Sequence, residues 1–100
     1  MSDHFNELTP AQAERLAMLA EECAEVIQVV GKILRHGYDS HHPSDPSTTN
    51  RLLLERELTD LRAVASTLWR DGLSQGSIAD MDRAWAKKLC FSHHQEEGRA

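Results

Sequence analysis

Residues 19–37 read LAEECAEVIQVVGKILRHG, and the apolar residues of this stretch recur at steps of three and four. That spacing is typical of an amphipathic helix. Upstream, Thr9 offers an N-cap hydroxyl, Pro10 suits the first helical position, and Gln12 completes a capping-box pattern. Downstream, Gly37 suits the C-cap. The sequence therefore predicts a long helix from residue 10 to residue 36, and a break near Ala20 that would make two helices stays open.

Two more apolar stripes follow a polar segment. Residues 38–49 are rich in Asp, Ser, His, Pro and Thr, which predicts a flexible loop. The next stripe runs over residues 54–68 and ends at Gly72, and Ser77 can start a last helix. We expect four apolar residues of this last helix to face inward: Ile78, Met81, Trp85 and Leu89.

No strand-like alternation competes with these helices, so the predicted fold class is all-α. The chain has 100 residues, which favours a single domain over 1–100. Its parts are a four-helix-bundle-like core at about 9–91 and a frayed tail at 92–100. A chain this short buries a modest fraction of its surface, which favours a homodimer or homotetramer. Cys23 and Cys90 lie in apolar helical patterns and are expected to be buried thiols.

The amino-acid composition limits the kinds of partner that the protein is expected to bind. The formal net charge of -5 disfavours binding to nucleic acid or to an anionic membrane surface. No stretch approaches the length of a membrane span, and the N-terminus lacks a basic start followed by an apolar run. We therefore expect a cytoplasmic protein.

Carboxylates occupy unexpected positions on two of the predicted helices. At about 100° per residue, Glu57 falls within the apolar arc between Leu61 and Val64. Asp60 follows one turn later on the same side. Glu22 and Glu25 repeat this i, i+3 arrangement on the first helix. Their flank also carries two apolar residues, Met18 and Val29.

Such a group of acids needs compensating positive charge, because carboxylates held close together in a low dielectric cannot all ionise without it. Arg56 and Arg62 could each reach one of them, but no set of cations is placed to neutralise four. A divalent metal ion is the simplest source of this positive charge. A site made only of oxygen ligands favours Mg²⁺ or Mn²⁺. A di-iron bundle would need Glu-x-x-His motifs, which these pairs lack. For other helical acids a solvated surface position is the simpler interpretation. These are Glu7, Glu14, Glu21 and Glu55.

The two acidic motifs carry a resemblance to a known family. Residues 21–25 read E-E-x-x-E and residues 57–60 read E-x-x-D, in that order and on successive helices. The chain thereby resembles the MazG-like all-α nucleoside triphosphate pyrophosphohydrolases, in particular their short phage and bacterial single-domain members. The similarity spans roughly residues 8 to 90. It implies the MazG fold and hydrolysis of a nucleoside triphosphate to monophosphate and pyrophosphate.

The resemblance also implies roles for individual residues. It makes Glu22, Glu25, Glu57 and Asp60 metal ligands for Mg²⁺, or alternatively Mn²⁺, and it makes Glu21 a catalytic residue that orients water. Substrate-binding groups are expected among the cations and histidines near the site. Those candidates are Lys32, His36, Lys87 and Lys88.

Phage-type members favour a deoxynucleotide substrate such as dGTP, in the host cytoplasm if the protein is phage-encoded. Trp69 and Trp85 are expected in the core, although either is able to stack on a base. The adjacent pairs His41–His42 and His93–His94 are expected to be solvated rather than chelating. The alternative function from a different class is a non-catalytic helical module for oligomerisation or partner binding.

Overall fold

The computed structural model describes residues 5–95, and within them the regular structure is helical. The helices are α1 (Pro10–His36), α2 (Asn50–Ala65), a 3-10 helix (Leu68–Asp71) and α3 (Ile78–Leu89). The only strand-type pairing in this part of the chain is an isolated bridge between His41 and Thr49. The predicted all-α class is thus confirmed. None of the described helices is long and apolar enough to cross a membrane.

α1 begins and ends where its capping residues predict. The Thr9 side chain accepts from the Gln12 backbone N–H while the Gln12 side chain accepts from the Thr9 N–H, so the capping box is complete. At the other end Gly37 adopts φ 91°, a conformation that favours glycine. The helix runs without interruption through Ala20, so the break considered there does not occur. Alanine, the strongest helix former, gives no reason for one.

α2 is shorter than its apolar stripe predicts. The Thr49 hydroxyl caps its start, but the helix ends at Ala65 instead of continuing to Asp71. The hydroxyls of Ser66 and Thr67 donate to the carbonyls of Ala63 and Val64 and so compete with helical hydrogen bonding. Gly72, at φ 87°, then closes the short 3-10 helix. The described residues therefore contain three α-helices, and the four-helix-bundle-like arrangement expected for an oligomer stays a prediction.

The core lies between α1 and α2, which form the main helix–helix contact of the described residues. Val29 on α1 and Leu68 in the 3-10 helix are buried, each with 7% of its surface exposed. Arg15 ties the start of α1 to the 3-10 helix, because its Nε and Nη2 donate to the two Asp71 carboxylate oxygens at 3.0 and 2.5 Å. Hydrogen bonds from Arg15 hold the pKa of Asp71 below its usual value, and the positive charge of Arg15 adds to the effect.

α3 has no buried residue, although it begins with a complete capping box at Ser77. Ile78, Met81 and Trp85 are exposed and only Leu89 is half-buried, so their expected inward orientation is wrong for the single chain. Apolar periodicity predicts which face of a helix is apolar, but it does not say what covers that face. The Cα radius of gyration, 17.7 Å, exceeds the about 13 Å expected for a compact chain of this length.

Two cysteines and two tryptophans also differ from expectation. Cys23 and Cys90 are both exposed free thiols rather than buried ones. Trp69 and Trp85 are 63% and 54% exposed, so neither belongs to the core of the single chain. The flexibility predicted for the loop and the tail stays a prediction, and residues 96–100 lie outside the described range.

Candidate metal site

The packing of α1 on α2 brings the two acidic motifs to the same region. Glu22 and Glu25 lie on α1 and are half-buried, and Glu57 on α2 is half-buried as well. Asp60, one turn after Glu57, is exposed. Val29 is buried beside this flank as predicted, whereas Met18 is 41% exposed. Three of the four predicted ligands are thus withdrawn from solvent, with Asp60 at the rim.

The four carboxylates interact electrostatically across the two helices. Burial raises the pKa of Glu22, and a hydrogen bond from its protonated carboxyl to Glu25 raises it further. The charges of Glu25, Asp60 and Glu57 act in the same direction. Since an electrostatic effect of this kind weakens with distance, the acids of the two motifs lie in the same region of the α1–α2 pair.

Glu57, on α2, has a raised pKa for similar reasons. Burial raises its pKa first, and the charges of Glu25 and Asp60 add to the effect. The helical-wheel position between Leu61 and Val64, both half-buried, explains this burial. The partial burial predicted for Glu57 from its sequence position is therefore confirmed.

No basic side chain compensates these acids in residues 5–95. The ion pairs of this range lie elsewhere, and they are Arg15–Asp71, Arg51–Asp39 and Arg83–Asp80. Arg62, one of the two arginines expected to reach the acids, instead approaches the Thr59 hydroxyl. The other, Arg56, lowers the pKa of Asp45, where it adds to the larger effect of hydrogen bonds from Thr48 and Ser47.

The donor set suits a hard divalent cation, since it offers carboxylate oxygens alone. As the side chains stand, the described residues contain no group of three or more His, Cys, Asp or Glu side chains close enough to hold one ion. Residues of the right chemistry are gathered, and joint ligation requires them to change rotamer.

A cavity of about 480 Å³ opens beside this acidic cluster, between the end of α1, the loop and the start of α2. Its wall is rich in groups that carry or can acquire positive charge. These are Lys32, Arg35, His36, His41 and His42. Asp45 is the one acid in the wall. Lys32 and His36, predicted to bind substrate, therefore lie together in a cavity with the electrostatics for an anion.

Hydrogen bonds fix the loop that forms one side of the cavity. Asn50 is buried with 6% exposure, and its Nδ2 donates to the Gly37 carbonyl at 3.1 Å. Its backbone N–H donates to the Ser40 carbonyl at 2.9 Å. Arg51 adds a contact to Asp39 and stacks over the Tyr38 ring, 4.5 Å from its centroid. The two ends of the loop are thereby joined at the first turn of α2.

The remaining predicted residues lie outside this arrangement. Glu21 is exposed on α1, one turn before Glu25 and about 40° from it around the helix. Lys87 and Lys88 occupy the last turn of α3 and do not line the cavity. A phosphate-binding role for either lysine stays a prediction, as does the catalytic role of Glu21.

Sequence reasoning missed several cavity residues. His41 and His42 were expected to be solvated, and they are exposed, yet both line the cavity. Asn50 begins α2, and its side chain bridges back across thirteen residues to Gly37. A helix-starting Asn preceded by a loop that must return to the end of α1 is a signal for such a bridge. The spacing of the histidines in the sequence does not indicate that they line a cavity.

Comparison with known proteins adds no relative. No protein-family model, no curated protein and no solved structure matches the chain.

Proposed function

We propose that this protein is a Mg²⁺-dependent nucleoside triphosphate pyrophosphohydrolase with a MazG-like fold. One observation carries the proposal: burial and the charges of neighbouring acids raise the pKa values of Glu22 and Glu57 on two packed helices, near a cavity lined with cationic groups. A triphosphate and its divalent cation need those two environments next to each other. The resemblance of the two acidic motifs to the MazG-like family supports the same reaction.

The helices give the distance between the two environments. Lys32 follows Glu25 by seven residues, which is about 10 Å along α1. Leu53, in the cavity wall, precedes Glu57 by one turn of α2, or about 6 Å. These separations along the helices are comparable to the length of a triphosphate, which supports a substrate that would reach from the cavity to the acids.

Each group of residues has a role in this proposal. Glu22, Glu25, Glu57 and Asp60 would hold Mg²⁺, or Mn²⁺ in its place. When bound, the ion neutralises phosphate charge and lowers the barrier to attack at the α-phosphorus. Lys32 and His36 hold the anionic substrate in the cavity, and Lys87 or Lys88 contacts an outer phosphate if α3 reaches the site. Glu21 orients the attacking water.

Product analysis tests the proposal. The protein is incubated with each of the eight common nucleotides and Mg²⁺, and the products are separated by ion-exchange chromatography. We expect nucleoside monophosphate and pyrophosphate, with a deoxynucleotide such as dGTP preferred. Glu57→Gln should abolish turnover, while Glu55→Gln, an exposed acid on the same helix, should retain it. Orthophosphate as the released product, or equal activity in both variants, would contradict the proposal.

A second candidate function rests on α3. Its exposed apolar residues support a helical module that binds a partner or assembles into a homodimer or homotetramer, with no catalysis. Oligomerisation is compatible with the hydrolase, so the discriminating result concerns the metal. A purely binding module predicts no stabilisation by Mg²⁺, whereas a metal site raises the melting temperature with metal concentration. In either function we place the protein in the cytoplasm.

A further inference from the structure

The cavity between the end of α1, the loop and the start of α2 has an excess of positive charge. Lys32 and Arg35 line it, and neither forms an ion pair in the part of the chain that the structure describes. Asp45 is the one acid in the wall, and the other charges of the loop base, Asp39 and Arg51, pair with each other. The volume of about 480 Å³ is within the range of about 300–1,000 Å³ that is usual for small-molecule sites.

Backbone N–H groups do not supply this cavity with donors, although α2 begins at its edge. The first N–H groups of a helix can bind an anion when no other acceptor uses them. In α2 the N–H groups of residues 50–53 all donate to oxygens of the loop or of Thr49. Side chains must therefore bind any anion in this cavity.

Hydrogen bonds assign the protons of the two loop histidines. The Ser44 backbone N–H donates to His42 Nδ1 at 3.1 Å, so a neutral His42 carries its proton on Nε2. His41 Nδ1 lies 3.0 Å from the His42 carbonyl, which only accepts, so a neutral His41 carries its proton on Nδ1. The Nε2 of His42 is thus a donor in the neutral ring, whereas the Nε2 of His41 is an acceptor.

An anion offers acceptors, so His41 Nε2 can bind it only after gaining a proton. Imidazole is the side chain that gains its charge between about pH 8 and about pH 5. His36 is a third imidazole in the cavity wall. Acid conditions therefore add positive charge to the wall, and an anion that binds there favours uptake of a proton.

The acid in the wall opposes an anion, but it does not create the pH dependence. Hydrogen bonds from Thr48 and Ser47 hold the pKa of Asp45 below its usual value, and the charge of Arg56 on α2 acts in the same direction. Asp45 is therefore ionised throughout this pH range, and Arg56 balances part of its charge.

We propose that this cavity binds the outer two phosphates of a nucleotide, and free pyrophosphate, without a metal ion and with uptake of a proton. Lys32 and Arg35 supply fixed charge, while His41 and His42 supply donors from the loop. A nucleotide as the natural source rests on the proposed function, whereas binding of pyrophosphate does not. An uncharged nucleoside fits this wall less well, because it offers no counter-charge to the two cations.

Calorimetric titration with pyrophosphate in EDTA tests the site without a metal. Near pH 6, Lys32→Gln should bind at least about tenfold more weakly than the wild type, as expected for loss of a hydrogen bond between charged groups. The matched control is Arg70→Gln, which removes an exposed cation that does not line the cavity. A wild type that does not bind, or equal binding by the two variants, would overturn the inference.

The chain offers a second pair of adjacent histidines as a control for the loop. The double substitution His41→Gln and His42→Gln should weaken pyrophosphate binding at least about tenfold near pH 6. The same change at His93 and His94, which are exposed and do not line the cavity, should have no effect. Because His42 also bonds to Ser44, His41→Gln alone is the second variant, and circular dichroism verifies the fold. Equal binding by the two double variants would refute a role for the loop.

Sulfate isolates the contribution of the protein to the pH dependence, because its own charge does not change in this range. The wild type should bind sulfate at least about fivefold more weakly near pH 8 than near pH 6, and His41→Gln should show a smaller difference. Titrations in buffers of different ionisation enthalpy should show proton uptake. Equal affinity at both pH values, or an unchanged difference in His41→Gln, would overturn the proton-linked site.

Failure of this inference can be distinguished from failure of the proposed hydrolase. Pyrophosphate binding without turnover of any nucleotide would support the site and refute the hydrolase. Turnover without pyrophosphate binding in EDTA would refute the site alone. Deoxyguanosine that binds and is lost in Lys32→Gln, with no binding of pyrophosphate, would place the nucleoside in the cavity and overturn the inference.

Discussion

Replacing Asn50 by alanine tests whether the loop is fixed by the buried amide. The side chain is 6% exposed and its Nδ2 donates to the Gly37 carbonyl at 3.1 Å, so it joins the end of α1 to the start of α2. In Asn50→Ala the Gly37 carbonyl loses this donor, while the backbone bond from residue 50 to the Ser40 carbonyl remains available.

The expected loss of stability follows from this geometry. A neutral hydrogen bond contributes about 0.5–1.5 kcal/mol. Gly37 is exposed, so water can replace the lost donor and no larger penalty is expected. For a domain of this size, 1 kcal/mol corresponds to roughly 4–8 °C in melting temperature. The side chain also lines the cavity, so the variant should bind nucleotide more weakly than the wild type.

Urea unfolding followed by circular dichroism measures the effect. With a slope of about 2 kcal/mol/M, the midpoint of Asn50→Ala should fall by roughly 0.3–0.8 M at an unchanged slope. Asn6→Ala is the matched control, since it removes an exposed amide that accepts from the Leu8 N–H. A loss below about 0.5 kcal/mol in Asn50→Ala, equal to that of an ordinary surface substitution, would refute the reasoning.

Three further substitutions probe the core and the charges. Leu68→Ala should lower the free energy of unfolding by about 2–5 kcal/mol in urea titrations, because Leu68 is 7% exposed. Arg15 lowers the pKa of Asp71, so the ionised carboxylate stabilises the fold above pH about 4. The wild type should therefore be more stable than Asp71→Asn at neutral pH. In an acid titration this difference in stability should shrink as the pH falls through the lowered pKa. The pKa of Glu57 is raised, so ionisation of this carboxyl destabilises the fold. In EDTA, the melting temperature of the wild type should fall as the pH rises from about 4 through the raised pKa. The melting temperature of Glu57→Gln should fall less over the same range.

Local chemistry predicted the starts of α1 and α3 and the position of the half-buried acid well. Thr9 and Gln12 form the predicted capping box, and Ser77 starts α3. These features depend on neighbouring residues only, so they can be predicted from the sequence. Glu57 was also placed correctly, because its position among apolar residues reflects the face of α2 that meets α1.

Features that depend on distant contacts were harder to predict. The exposure of Cys23 and of the α3 apolar face differs from expectation because periodicity does not identify what covers a face. The end of α2 at Ala65 results from two hydroxyl–carbonyl bonds that compete with a continuing apolar pattern. The cavity histidines depend on the path of the loop, which composition alone does not determine.

Binding of Mn²⁺ observed by electron paramagnetic resonance tests the metal site most directly, because the signal of free Mn²⁺ falls when the ion is bound. Wild-type protein should bind Mn²⁺, Mg²⁺ should displace it, and Glu57→Gln should bind at least tenfold more weakly than Glu55→Gln. An undiminished Mn²⁺ signal with the wild type, or equal binding by the two variants, would contradict a divalent metal site formed by Glu22, Glu25, Glu57 and Asp60.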